Sequence, residues 1–253
     1  MTKWVIKLGG AVLNCEDAAA ALFKVMSEQK DAQFIIVHGG GSLVDTWLQD
    51  AGFVSSKHEG LRISPREQMP YIVGALAGCA NKQLMAQAIA SKMIPIGISL
   101  FEAGITSTQK LKALGLVGTC SEGCINLVPT LLEKNMLPII SSIGFDSDGT
   151  WYNVNADEAA AAIAKSLDAE LIFMTDVEAV LDANKQPLHQ LDALQISELI
   201  NSGVIQGGMQ VKVETSLLAA QHLRRGVYIS SWQKPENLNA LLNQEHVGTK
   251  IVP

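Results

Sequence analysis

Four short stretches of this 253-residue chain combine glycine, lysine, asparagine and aspartate in patterns that could hold an anion and offset negative charge. The first, Lys7-Leu8-Gly9-Gly10, closes an apolar run on a lysine and a glycine pair. Glycines at the carboxyl end of a strand let backbone N–H groups approach an anion, and open α/β sheets bind ligands at that edge. Lys7 is then a nearby point charge. An ordinary strand-to-helix turn with a solvated lysine gives the same string. The second, His38-Gly39-Gly40-Gly41-Ser42, again ends an apolar run and leads into a helical pattern, with Ser42 as the expected N-cap. Three glycines before a helix N-terminus make an anion nest that the helix dipole favours. A structural turn also accounts for it, and His38 by itself reads as a satisfied or partly buried histidine.

The third stretch, Asn153-Val154-Asn155-Ala156-Asp157-Glu158, offers Asn155 as an N-cap with Glu158 in the capping-box position. Asp157 suits the helix dipole whether or not it does chemistry. Asn153 is the more telling residue, because two amides flanking a valine do little for packing and are well placed to bind a carboxylate. The fourth, Gly207-Gly208-Met209-Gln210-Val211-Lys212, opens a long helical pattern. A lysine in the first turns is electrostatically disfavoured unless an anion sits before it, although a lysine lying along an exposed face is the plain alternative. Arg62, in Gly60-Leu61-Arg62, has the planar fork to grip a carboxylate bidentately, or is a surface arginine. Thr175-Asp176-Val177 ends a later apolar run, where a nucleotide could meet backbone and hydroxyl groups, and Asp182 reads equally as a turn residue. Neither the phosphate loop with a distal Gly-Lys-Ser nor the spaced-glycine dinucleotide fingerprint occurs. Cys120 and Cys124 lack a matched second ligand pair, so no metal site is expected.

These residues need a scaffold that brings strand ends together. Apolar, β-branched runs at Trp4 to Leu8, Phe34 to Val37, Ile94 to Ser99, Leu137 to Ser141, Leu171 to Thr175 and Val227 to Ser230 read as strands. Helical patterns lie between them at Asp17 to Glu28, Ser42 to Asp50, Asn81 to Lys92, Ala156 to Leu167 and Met209 to Leu223. The alternation predicts a three-layer αβα sandwich around a largely parallel central sheet. Ser64 and Pro65 suit an N-cap and first helical position, but Pro70 follows, so a kink or a later helix start is expected. Residues 103 to 124 read as hairpins or loops at one end of the sheet. Two lobes, 1–168 and 169–253, are expected to meet near Leu167 to Ala169 and share one continuous sheet.

Composition narrows the partners. With 48% hydrophobic and 17% charged residues the chain has a core to bury, and its net charge of -6 gives no footprint for nucleic acid. Four cysteines are too few for a disulfide scaffold, so a reducing cytoplasmic location is expected. The opening MTKWVIKLGG has no signal-peptide core, and no run of about 18 apolar residues appears, so a soluble, unprocessed protein with no membrane partner is expected.

Taken together, six motifs in order resemble the amino-acid kinase family over nearly the whole chain. They are Lys7 to Gly10, His38 to Gly41, Gly60 to Arg62, Gly74 to Gly78 with Asn81-Lys82, Asn153 to Asp157 and Gly207 to Lys212. The likeness to its branch acting on N-acetyl-L-glutamate is close. The resemblance implies the carbamate kinase-like fold and transfer of a phosphoryl group from ATP, with Mg2+ held mainly through the nucleotide, to the side-chain carboxylate of N-acetyl-L-glutamate in arginine biosynthesis. It implies that Lys7 and Lys212 stabilise the transferring group and that Asp157 holds both lysines. Gly39, Gly40, Arg62, Asn153 and Asn155 would bind the acceptor or its incoming phosphate. Gly9, Gly10, Thr175, Asp176, Gly207, Gly208 and Met209 would meet the nucleotide. The N-terminal lobe would carry the acceptor and a homodimer contact, the C-terminal lobe ATP. Because the first strand begins so near residue 1, the arginine-insensitive dimeric type is expected. Alternatives are a sibling kinase acting on uridine monophosphate or free glutamate, or a ligand sensor on the same fold. A dinucleotide-dependent oxidoreductase would need the missing glycine fingerprint.

Overall fold

The computed structural model describes residues 1–13, 15–110, 112–121, 126–243 and 245–253. From the N-terminus, β1 (Thr2–Leu8) runs into a single turn, α1 (Gly10–Leu13), and then α2 (Glu16–Glu28); β2 (Ala32–His38) runs into α3 (Gly41–Asp50). A hairpin of β3 (Lys57–His58) and β4 (Leu61–Arg62) precedes α4 (Met69–Val73), α5 (Asn81–Ala90) and β5 (Pro95–Ile98). Next come β6 (Thr106–Gln109), β7 (Val117–Ser121), α6 (Leu127–Glu133), β8 (Leu137–Ser141), β9 (Ile143–Phe145), β10 (Trp151–Val154) and α7 (Ala156–Leu167). The last third holds β11 (Glu170–Thr175), β12 (Val180–Leu181), β13 (Pro187–Leu188), β14 (Gln190–Leu191) and α8 (Ala193–Asn201). It ends with α9 (Gly207–Leu223), β15 (Val227–Ser231), α10 (Glu236–Leu242) and β16 (Thr249–Ile251).

Eight strands form one sheet in the order β14-β16-β15-β11-β1-β2-β8-β5. All neighbours in it run parallel except β15 and β16. Strands covered on both faces read as unbroken apolar runs because alternate side chains serve opposite layers. Val5, Ile35, Val37, Leu171 and Phe173 join the cluster under α7 and α9, while Trp4, Ile6, Leu8, Phe34, Ile36, Ile172 and Met174 pack with Leu22, Phe23 and Met26 of α2 and Leu84 of α5. The expected αβα sandwich is what forms. β1 bonds to β2 on one flank and β11 on the other, so a single sheet joins both halves of the chain.

One expectation needs correction. Ser64 is no N-cap: its Oγ donates to the Arg62 carbonyl, and Pro65 precedes a 3-10 turn over Arg66–Gln68. The α-helix starts later, at Met69, with Pro70 in its first turn, where the missing N–H has no intrahelical acceptor to lose. Residues Gly74–Ala80 then widen into a π-helical stretch leading straight into α5. In the 103–124 segment, β6 and β7 do form a hairpin. With β10 and β9 they complete a second, four-stranded sheet, β6-β7-β10-β9, that carries Asn153. Cys124 lies outside the described residues.

Candidate active site

The carboxyl ends of β1, β2 and β11 converge, and α7 and α9 close over them. Lys7 sits one residue from the end of β1, opposite Val37 of β2 and Phe173 of β11. Its Nζ lies 2.8 Å from Asp157 Oδ1. Asp157 owes its position to the helix start: Asn155 Oδ1 accepts from the backbone N–H of Asp157 at 2.8 Å and of Glu158 at 3.2 Å. Lys212, in the second turn of α9, pairs with Asp176 at 2.5 Å rather than with Asp157. The expectation that one aspartate holds both lysines is thus half met, because Asp176 at the end of β11 faces Lys212 directly. Hydrogen bonding from Lys212 holds the Asp176 carboxyl below the usual carboxylate range.

Lys7, Gly9, Gly10, Asp157, Thr175, Asp176 and Lys212 line one cleft of 300 Å³. Val211, Thr215, Ser216 and Trp232 are among the further residues that line it and were missed. Helical spacing from Lys212 was a usable signal for Thr215 and Ser216, since residues three and four apart share a face. Gly207, Gly208 and Met209 do not line this cleft. The two glycines are exposed at the start of α9, Gly207 with φ +57, and Met209 packs against the core.

A second pocket, of 180 Å³, is lined by Gly39, Gly40, Gly41, Arg62, Asn153 and Asn155 together with Lys57 and Ser142. Arg62 is buried, and its guanidinium is engaged by the side chains of Asp45 and Ser55 and by the Gly41 carbonyl at 3.0 Å. The Arg62 partner pulls the Asp45 carboxyl down to about 2. Asn153 Nδ2 donates to Ser64 Oγ at 3.0 Å. Asn155 lines the pocket while its Oδ1 caps α7. Lys57, on the β3–β4 hairpin, adds a cation that the sequence reading did not single out.

The two glycine loops touch. A Cβ on Gly10 would lie 3.1 Å from Gly41 N, and one on Gly40 only 2.9 Å from Leu76 Cδ2. Gly39 N donates to the Leu8 carbonyl at 3.2 Å, extending the β1–β2 ladder into the loop. The helix cap is Gly40, not Ser42, so the backbone itself opens α3. Glu158 also departs from expectation. Instead of reaching back as a capping box, its carboxylate binds Cys120 N at 2.8 Å, Lys110 Nζ at 2.9 Å and the Thr119 hydroxyl. It thereby ties α7 to β7. Burial pushes the Cys120 thiol up to about 12, so it stays protonated. Among the described residues no group of three His, Cys, Asp or Glu could hold a metal ion.

Two lysines, glycine N–H groups and a helix start facing one strand edge are the equipment of phosphoryl transfer, in which positioning and charge compensation do most of the work. The chain belongs to the amino acid kinase family, whose profile matches residues 2–231. It is 48% identical over 254 residues to the acetylglutamate kinase of Moritella profunda, spanning 99% of this chain and 96% of that one. It is 46% identical over 250 residues to the acetylglutamate kinase of Colwellia psychrerythraea, spanning 98% and 96% respectively. The solved carbamate kinase of Giardia superposes with a TM-score of 0.65 at 18% identity, over 99% of this chain and 98% of that one, and so shares the fold.

Proposed function

We propose that this chain transfers the γ-phosphoryl group of ATP to the side-chain carboxylate of N-acetyl-L-glutamate, the acyl-phosphate-forming step of arginine biosynthesis. The observation that carries the reading is that Lys7 and its Asp157 partner line one recess with Asp176 and Lys212, while the Gly39–Gly41 loop and Asn153 line a second, the two meeting where Gly10 packs on Gly41. A carboxylate oxygen bonds to the γ-phosphorus as the bond to the bridging oxygen breaks, and ADP leaves. A glutamate side chain has a reference pKa of about 4.3 and is already ionised near neutrality, so no general base is required. The difficulty is repulsion between two anions. Lys7 and Lys212, which line the same cleft, offset it, and the N–H groups of Gly10 and Gly40 take phosphoryl oxygens, the Gly39 N–H being bound to the Leu8 carbonyl.

Both carboxylates of the nucleotide cleft, Asp157 and Asp176, are paired with lysines. That fits Mg2+ arriving on the ATP phosphates, where it neutralises oxygen charge, better than a site built of protein ligands. Residues 1–168 would hold the acceptor and residues 169–253 the nucleotide, with Thr175 and Asp176 at the boundary. Gly207, Gly208 and Met209 reach ATP only if the start of α9 moves toward it. A cytoplasmic homodimer accords with the acceptor half ending on edge strand β5 beside exposed Ile89, Ile94 and Phe101. No helix among the described residues is long and apolar enough to cross a membrane.

ADP release with ATP and Mg2+ tests the reaction, comparing N-acetyl-L-glutamate with glutamate, aspartate and uridine monophosphate and trapping any acyl phosphate with hydroxylamine. Turnover and hydroxamate with N-acetyl-L-glutamate alone, unchanged by added arginine, is expected. Activity on another acceptor moves the chain to a sibling kinase, and silence on all four overturns the enzymatic reading.

A further inference from the structure

His38 is the last residue of β2 and is wholly buried. Its Nδ1 lies 2.9 Å from the Gly39 carbonyl oxygen, which can only accept, so Nδ1 carries the proton and Nε2 accepts. The amide Nδ2 of Asn81, at the start of α5, supplies that donor at 3.1 Å and also donates to the Ile139 carbonyl at 2.9 Å. Asn81 Oδ1 in turn accepts from Lys82 Nζ at 3.2 Å. One tautomer satisfies the whole chain of contacts from ammonium to amide to imidazole to the Gly39 peptide. Burial lowers the His38 pKa to about 4, which keeps the ring neutral at working pH.

We propose that His38 and Asn81 are positioning residues, holding the Gly39 peptide and the glycine loop in the orientation that phosphoryl transfer requires. The inference rests on reading that loop as part of the reaction site. The loop has little slack, since Gly10 and Gly40 pack at contact distance and Gly39 is tied to Leu8. The far end is equally tight. A Cβ on Gly97 of edge strand β5 would stand 2.0 Å from Asn81 Oδ1 and 2.8 Å from Lys82 Nζ, so the network exists only because residue 97 has no side chain.

Steady-state kinetics beside thermal unfolding separates positioning from plain core packing. His38→Leu removes the bond to Gly39, whereas His38→Asn puts an amide N–H near the former Nδ1 and restores it. The expected loss in kcat for His38→Leu is about 100-fold, the size a misplacement of about 1 Å can cause, with KM for ATP little changed. His38→Asn should recover most of it. Equal losses in both variants, or losses that track the fall in Tm, overturn the proposal. Should His38→Leu fail to fold, Gly97→Ala presses on Asn81 from outside the site: lowered kcat supports the relay, and wild-type kcat overturns it. Wild-type inactivity toward N-acetyl-L-glutamate is a separate failure, that of the substrate reading. The same variants are then compared on the acceptor that does turn over.

Discussion

At the scale of residues, the two site lysines differ in their tethers. Lys7 and Asp157 are both shielded within the cleft, whereas Asp176 is 58% exposed, so the Lys212 tether is the weaker and more readily exchanged for a phosphate. Lys212→Ala should therefore lower kcat by about 100-fold or more while changing KM for ATP modestly, since charge developing in the transition state loses its partner. Near-normal turnover in a single-turnover assay refutes that role. Lys7, Asp157 and Lys212 could be picked from the sequence because glycine loops and helix starts flank them. The Asp176–Lys212 pair could not, because nothing local links residues 36 apart. Arg62 was legible as a special arginine, but not its anchorage by Asp45 and Ser55, which depends on how α3 meets the β3–β4 hairpin.

At the scale of elements, α7 joins stability to function. Its inner face is alanine-rich, with Ala159, Ala160, Ala161 and Ala164 buried beside Ile163, which lets the helix lie close to the sheet and brings Asp157 to Lys7. The Asn155 cap fixes where that helix begins. Asn155→Ala should cost about 1 kcal/mol of stability, the usual loss for a helix cap. Urea denaturation would register this, and an unchanged midpoint would mean that the Glu158 ties to β7 hold the helix start alone. Those ties could not be foreseen, because the same glutamate three residues after an asparagine satisfies a capping box equally well. The late start of α4 was easier to foresee, since Pro70 forbids an earlier one.

At the scale of the whole molecule, alternating patterns predicted the layers but not the order of strands. Which run pairs with which depends on long-range packing, so the eight-strand order and the antiparallel β15–β16 edge emerge only in three dimensions. The second sheet was hidden for a different reason: its strands are short, and β6 and β7 are rich in Gly, Ser and Thr. The same order leaves β5 with an unpaired edge, a surface that proteins usually cover or charge. Ile94 is 56% exposed there, so Ile94→Lys should leave the fold intact and shift the proposed dimer to monomer in sedimentation. A variant that sediments as the wild type does would place any dimer contact elsewhere.

The β1 ladder also acts as a gauge. The glycine loop follows β2 and Asp176 ends β11, so the acceptor and donor sides stand two strand spacings apart, about 10 Å, with β1 between them. Parallel backbone pairing barely stretches, so this span is set by main-chain geometry and not by a hinge. On the proposed reaction, an acceptor one methylene shorter than glutamate presents its carboxylate about 1 Å short, a gap of the size that costs about 100-fold in rate. The sheet would then select by length what the side chains select by charge.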